Sequence, residues 1–162
     1  MEVAIMKLEK ELKLKNRSMD INHEALLSVV LTASTLQKLA ERFFTKYGVT
    51  DTQFNILMTL HDYGTEGLTQ QELSEKLVVH KSNVTGLVDR LEKLGYVKRQ
   101  VNAEDRRCNH IVLTPKGAKL IGKAEGPYFL EVDRIMNALS EGEKKALVSS
   151  TGKLRQTINQ RA

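Results

Sequence analysis

The chain of 162 residues has one cysteine, no tryptophan and two prolines. A single cysteine excludes an internal disulfide framework, and nothing in the chain reads as a secretory signal. Its longest apolar stretches fall far short of the roughly 20 residues that a membrane-spanning helix needs. These absences predict a cytoplasmic protein with no membrane partner. The scarcity of proline suits a mostly helical chain. No nucleophile–base pairing, phosphate-cradling loop or paired carboxylates stand at a recognisable spacing, so an enzyme is not expected. Without such partners, the many serines and threonines read as helix caps. The histidines are His23, His61, His80 and His110. None pairs at i, i+4, and Cys108-x-His110 alone is too little for a metal site. No metal and no cofactor are expected.

Charge leans to the basic side without being extreme. The net charge is +5 and the isoelectric point about 9.3, which permits nucleic-acid binding without requiring it. Residues 80–107 carry seven Lys or Arg (Lys81, Arg90, Lys93, Lys98, Arg99, Arg106, Arg107) against four acids (Asp89, Glu92, Glu104, Asp105). That balance is equally what a solvated basic surface would have.

The order of elements over 69–117 is more informative. Thr69-Gln-Gln-Glu72 is a capping box, and Leu73 and Leu77 give the helix it opens an apolar face. Val84, Leu87, Val88, Leu91 and Leu94 recur at helical spacing, so a second amphipathic helix is predicted with these five turned to the core. Gly95 ends it. Tyr96–Val101 and Asn109–Leu113 are β-type runs around a polar tip at 102–107. Val97, Val101, Ile111 and Leu113 are expected to form their apolar side. Thr114-Pro115 opens the next helix, with Thr as cap and Pro where no N–H is needed. Helix, turn, helix and a two-stranded wing make a module that lays one helix in a DNA major groove.

Around this module the sequence predicts long helices. Residues 20–47 form one whose Ala25–Leu31 stretch has almost no polar side, continued by Leu36, Leu39, Phe43 and Phe44. A helix without a clean polar face is buried on more than one side. In so small a chain that suggests cover by a second subunit; the competing reading is a central core helix of a monomer. Thr50-Asp-Thr-Gln53 caps a short helix bearing Phe54, Leu57, Met58 and Leu60, which Gly64 and Gly67 end before a brief strand at Leu68. Residues 115–139 are helical, with a kink expected near Gly122–Gly126 because Pro127 lies deep inside. Ser140-Glu-Gly-Glu143 is a further capping box. Leu147, Thr151, Leu154 and Ile158 follow as a seam able to meet a partner helix. Residues 1–19, rich in Lys and Glu, read as a helical extension or a frayed tail. The expected fold is mainly α, an α+β winged helix in a single domain over 1–162. Its DNA-binding part spans 50–114, and 20–47 with 115–160 forms a helical dimerisation region.

With the apolar face of the second motif helix turned inward, its outer face holds Ser82, Gly86, Asp89 and Lys93. Asn83 and Arg90 flank one side and Thr85 the other. Lys81, Ser82 and Asn83 form the N-terminal turn, where a recognition helix meets base edges. Asn pairs with adenine, Lys reaches guanine or phosphate, and Ser or Thr bonds to either. Gly86 costs about 1 kcal/mol relative to Ala inside a helix; it reads as close approach to DNA or as tolerance on an exposed face. Arg106 and Arg107 at the wing tip suit a narrow minor groove. Asp105 reads as a pin that holds an arginine or the loop backbone.

These residues resemble the multiple-antibiotic-resistance regulator family, MarR. The wing fits its pattern of Asp-x-Arg, five residues, then Leu-Thr-x-x-Gly, here Asp105, Arg107, Leu113, Thr114 and Gly117. Ser82–Gly95 is similar to its recognition helix and Thr52–Leu60 to its second helix. The likeness covers about residues 20–160. It implies a winged-helix homodimer on palindromic operators in double-stranded DNA, usually a repressor, often released by a small aromatic or phenolic effector. By position it makes Arg107 the minor-groove arginine and Asp105 the acid that stabilises the wing. His80 departs from the pattern, standing where Ser or Thr commonly caps, so Ser82 takes over as a candidate cap. Effector candidates are Phe43, Phe54, Leu57 and His61. Cys108, beside Arg107, reads as an incidental thiol or a redox switch; peroxide-sensing relatives use a cysteine near the start of the first long helix, and this chain has none there. Two alternatives stand beside the operator-binding reading: a winged helix that binds proteins instead of specific DNA, and a redox-responsive regulator using Cys108.

Overall fold

The computed structural model of the protein describes residues 8, 20–77, 84–101 and 109–161. The chain divides into two compact units, residues 1–55 and 56–162. The first holds helix α1, Ile21–Thr45, and the opening turn of α2, Asp51–Asp62. Asp20 caps α1, its Oδ1 accepting from the backbone N–H of Asn22 at 2.9 Å and of His23 at 3.1 Å. Of the α1 side chains only Phe44 is buried. Its ring lies 4.6 Å from that of Phe54 and 5.1 Å from that of Phe43. Leu26 is 59% exposed, and Val29, Val30 and Leu36 also face solvent. The burial expected of this helix on more than one side is not met within its own unit. The Thr50–Gln53 cap forms reciprocally: Thr50 N–H donates to Gln53 Oε1 at 2.9 Å and Gln53 N–H to Thr50 Oγ1 at 3.2 Å.

The second unit begins with Ile56, Leu57 and Leu60 of α2, all fully buried. Strand β1, Leu68–Thr69, leads into α3, Gln70–Lys76, then α4, Val84–Lys93, strands β2, Val97–Val101, and β3, Asn109–Leu113, and helices α5, Pro115–Met136, and α6, Glu141–Asn159. The three strands form an antiparallel sheet in the order β1-β3-β2. Its register sets Leu68 and Arg99 opposite Ile111, and Val97 opposite Leu113. The core gathers Leu73, Val84, Val88, Leu91, Val97, Ile111, Leu120 and Ile121.

Two capping boxes stand as expected. Thr69 N–H donates to Glu72 Oε2 at 2.8 Å and Glu72 N–H to Thr69 Oγ1 at 3.2 Å. Ser140 and Glu143 exchange the same pair of bonds at 2.8 and 3.4 Å. Both boxes satisfy backbone donors that a helix start leaves free.

Three expectations need correction. Leu94 is 41% exposed and Leu87 only half-buried, because α4 ends at Lys93 and the chain turns away there. Val101 is 58% exposed, since it pairs with Asn109 at the open end of the wing, whereas Val112 is buried. Helix α5 stops at Met136, short of Leu139.

Candidate nucleic-acid interface

The second helix of the motif is α4, and both the strand and the helix that follow it are tied to it. At its end Gly95 adopts φ +75°, a left-handed conformation that glycine takes without a Cβ clash. The N–H of Gly95 then reaches the Glu92 carbonyl and that of Tyr96 the Leu91 carbonyl, each at 2.9 Å. This pair of bonds is the Schellman closure of a helix. The Leu94 carbonyl accepts from Lys116 Nζ at 2.7 Å, and the same ammonium lies 4.9 Å from the centroid of the Tyr96 ring.

The Leu113-Thr114-x-x-Gly117 pattern completes this junction. Thr114 Oγ1 donates to the Gly95 carbonyl at 2.7 Å and accepts from Gly117 N–H at 3.1 Å, capping α5. Thr114 N–H donates to the Tyr96 carbonyl at 3.0 Å. A side chain at Gly117 would collide with the Tyr96 carbonyl and crowd Leu113. Glycine is there because the first turn of α5 lies against the backbone that leaves α4.

On the outward side, Thr85, Arg90 and Lys93 are exposed and Gly86 is half-buried. The Gln70 side-chain amide donates to the Thr85 hydroxyl, linking the starts of α3 and α4. Gln70, Gln71, Ser74, Glu75, Val84 and Thr85 line a groove between these two helices. Lys81, Ser82 and Asn83, and the wing-tip residues Asp105, Arg106, Arg107 and Cys108, lie outside the described residues.

Arg99 is the residue that sequence reasoning missed. It entered only as one positive charge among seven. In β2 it shares a face with Val97, which is buried, and it stands opposite Ile111, also buried. From there Nη2 meets Asp89 Oδ1 at 2.5 Å, Nη1 bonds Glu92 Oε2, and the Arg99 N–H donates to Glu92 Oε1 at 3.0 Å. The hydrogen bond to Asp89 raises the guanidinium above its ordinary pKa. A usable signal was present: period-two alternation from Val97 puts a cation inward, one turn from acids spaced i, i+3 on the preceding helix.

The effector candidates occupy different environments. Phe54 and Leu57 are fully buried, Phe43 is half-buried and His61 exposed. Phe43 stacks on Tyr47 at 5.3 Å within its own unit. Among the described residues no cluster of three or more His, Cys, Asp or Glu could hold a metal. No described helix is long and apolar enough to cross a membrane.

A helix-turn-helix closed onto a β-wing and followed by long helices defines a winged helix-turn-helix DNA-binding protein. Over residues 47–107 the chain matches the model of the MarR family. It is 30% identical over 164 residues to the transcriptional repressor MprA of Escherichia coli K12, covering 99% of this chain and 93% of MprA. Its fold is similar to that of the Staphylococcus aureus regulator MepR solved in complex with DNA. The TM-score is 0.72 and the identity 22%, over 80% of this chain and 93% of MepR. It is likewise similar to the organohalide-sensing regulator RdhR in its 2,4-dichlorophenol-bound form. There the TM-score is 0.75 and the identity 19%, over 86% of this chain and 82% of RdhR. The chain belongs to the MarR family of transcriptional regulators, which are DNA-binding proteins and not enzymes.

Proposed function

We propose that this protein is a cytoplasmic repressor that binds a near-palindromic operator as a homodimer. The observation that carries the reading is the outward face of α4, where Thr85, Arg90 and Lys93 are exposed on a helix fixed to both the wing and α5. Lys81, Ser82 and Asn83, which precede that helix in the chain, read base edges, Gly86 permits its approach, and Arg90 and Lys93 meet phosphate. Arg106 and Arg107 enter the flanking minor groove, with Asp105 holding the wing. MepR, solved on DNA, supports this use of the fold, and MprA, a repressor, supports the sign of regulation.

The dimerisation region comprises residues 20–47 and 115–160, and the DNA-binding region 50–114. The support is the apolar surface left open on a single chain: Leu26, Val30 and Leu36 on α1, Phe129 and Leu130 on α5, and Leu147, Leu154 and Ile158 on α6. A two-fold dimer would space its reading helices by about one turn of DNA, roughly 34–36 Å, which is what a palindrome requires. A small phenolic or aromatic effector releases the DNA, with Phe43, Phe54, Leu57 and His61 as the candidate contacts. RdhR, solved with 2,4-dichlorophenol, supports that ligand class.

Selection of bound fragments from random duplex DNA by the purified protein tests the reading. An enriched inverted repeat, bound with a steep loss of affinity as salt rises, is expected, because phosphate contacts release counterions. Recovery of no preferred sequence and a flat salt response would point to a protein-binding winged helix instead.

A further inference from the structure

We propose that Arg99 is a positioning residue that holds the reading helix and the wing in one fixed geometry, so that the two read DNA as a unit. The inference rests on the operator-binding function proposed above. Arg99 stands in β2, one strand of the wing, yet its guanidinium spends its bonds on α4: Asp89 at 2.5 Å through Nη2, and Glu92 through Nη1. Its own backbone N–H adds a third tie to Glu92 at 3.0 Å. Asp89 and Glu92 are three residues apart, so they sit on neighbouring turns of one helix face. A planar fork that takes one carboxylate on each side resists both rotation and sliding of α4 against the strand. Lysine has the charge but not the fork.

The pairing is partly sheltered: the Arg99 side chain is 29% exposed, against 48% for Asp89 and 37% for Glu92. Exposed ion pairs contribute little to stability, so the fork is better explained by geometry than by fold energy. The Schellman turn and the Thr114 and Lys116 bonds fix only the C-terminal end of α4. Arg99 is the tie that reaches its middle turn. A base contact at the start of the helix and a minor-groove contact at the wing tip can be satisfied together only if the angle between the two elements is constant.

The test compares affinity for a selected operator duplex with affinity for a scrambled duplex of the same length, by fluorescence anisotropy at one salt concentration. This ratio does not depend on how much of a preparation is folded, because an unfolded fraction enters both affinities alike. In Arg99→Ala the ratio should fall at least about tenfold, a small part of the roughly 10³–10⁷ that separates specific from non-specific binding. In Asp89→Asn combined with Glu92→Gln, scrambled DNA should bind more tightly, since two negative charges near phosphate are gone, yet the ratio should again fall about tenfold. Arg99→Lys should lie between these and wild type. A ratio within about twofold of wild type in both Arg99→Ala and the double variant overturns the proposal while leaving operator binding intact. A wild type with no preference for any duplex overturns the functional reading and this proposal together.

Discussion

The Thr114 hydroxyl donates to the Gly95 carbonyl at 2.7 Å and accepts from the Gly117 N–H at 3.1 Å. One side chain thus stitches the end of α4 to the start of the long helix that follows the wing. Thr114→Ala should cost about 1–2 kcal/mol in urea unfolding, the usual loss for a helix cap. Gly117→Ala should cost about 1–3 kcal/mol through overpacking, because the new methyl meets the Tyr96 carbonyl, a backbone atom with little room to yield. Unchanged midpoints in both variants would mean that this junction does not contribute to the fold.

Base reading and phosphate binding should separate at the helix. Asn83→Ala is expected to lose about 1–3 kcal/mol on the selected operator and to relax preference at one or two base pairs. Lys93, exposed near the end of α4, should behave differently: Lys93→Ala should weaken all duplexes alike and lower the salt slope by about one. Competition assays with single-position operator variants distinguish the two patterns.

For the wing tip, Arg107→Ala should leave thermal stability within about 0.5 kcal/mol, as a surface change usually does. Affinity should fall more at operators with A·T-rich flanks than with G·C-rich ones, because the narrow minor groove there carries the stronger negative potential. Asp105→Ala should also bind less well, with faster amide exchange over residues 100–110 as the wing loosens. Wild-type affinity in Arg107→Ala at physiological salt would take the wing out of the mechanism.

Subunit association should depend on the α6 seam. Leu154 and Ile158 are 47% and 63% exposed on one chain. Sedimentation equilibrium should give about twice the 18.3 kDa chain mass for wild type. Leu154→Glu combined with Ile158→Glu should shift the protein toward the monomer, because each glutamate would be buried without a partner. A monomeric wild type that still binds its operator tightly contradicts the dimer.

Acid should weaken the two capping boxes. Thr69 holds the Glu72 carboxyl below its ordinary pKa, chiefly through the backbone hydrogen bond, and Ser140 does the same for Glu143, chiefly through its side chain. A carboxylate whose folded pKa is depressed contributes stability above its unfolded value and loses it as pH falls through the folded one. Unfolding midpoints of the wild type should therefore drop as pH falls below about 4.5, the unperturbed value. Glu143→Gln, which keeps the box hydrogen bonds without the charge, should show a smaller drop. An identical pH profile would remove the Glu143 carboxylate from the effect.

Local chemistry made most of the fold legible. The boxes at Thr69 and Ser140 announce themselves because cap and partner lie within four residues, and Gly95 marks a helix end through a backbone conformation that glycine takes readily. Burial was harder to read. Leu94 fits the apolar period of α4, yet the helix stops one residue earlier and leaves it exposed. Val101 fits the strand alternation, but the wing outruns the core beneath it. Helix α1 is apolar on almost every side by composition, yet Phe44 is its one buried side chain. Arg99 stayed hidden among basic residues because its partners lie seven and ten positions back in the chain; strand alternation marks it as an inward cation but does not name them.

The sheet order has a consequence for solubility during synthesis. With β3 in the middle, β2 and β1 are its edges. An edge strand presents unpaired backbone groups to any other chain. Here β1 is two residues long, too short to template much pairing. Strand β2 reads Val-Lys-Arg-Gln-Val, with Lys98 and Gln100 exposed and Arg99 committed to α4. A hydrophobic strand in that position would invite edge-to-edge aggregation in a newly made chain. The central polar triplet that serves the wing therefore also acts as a gatekeeper, and replacing Lys98 and Gln100 with valine should lower soluble yield even where the finished fold is unchanged.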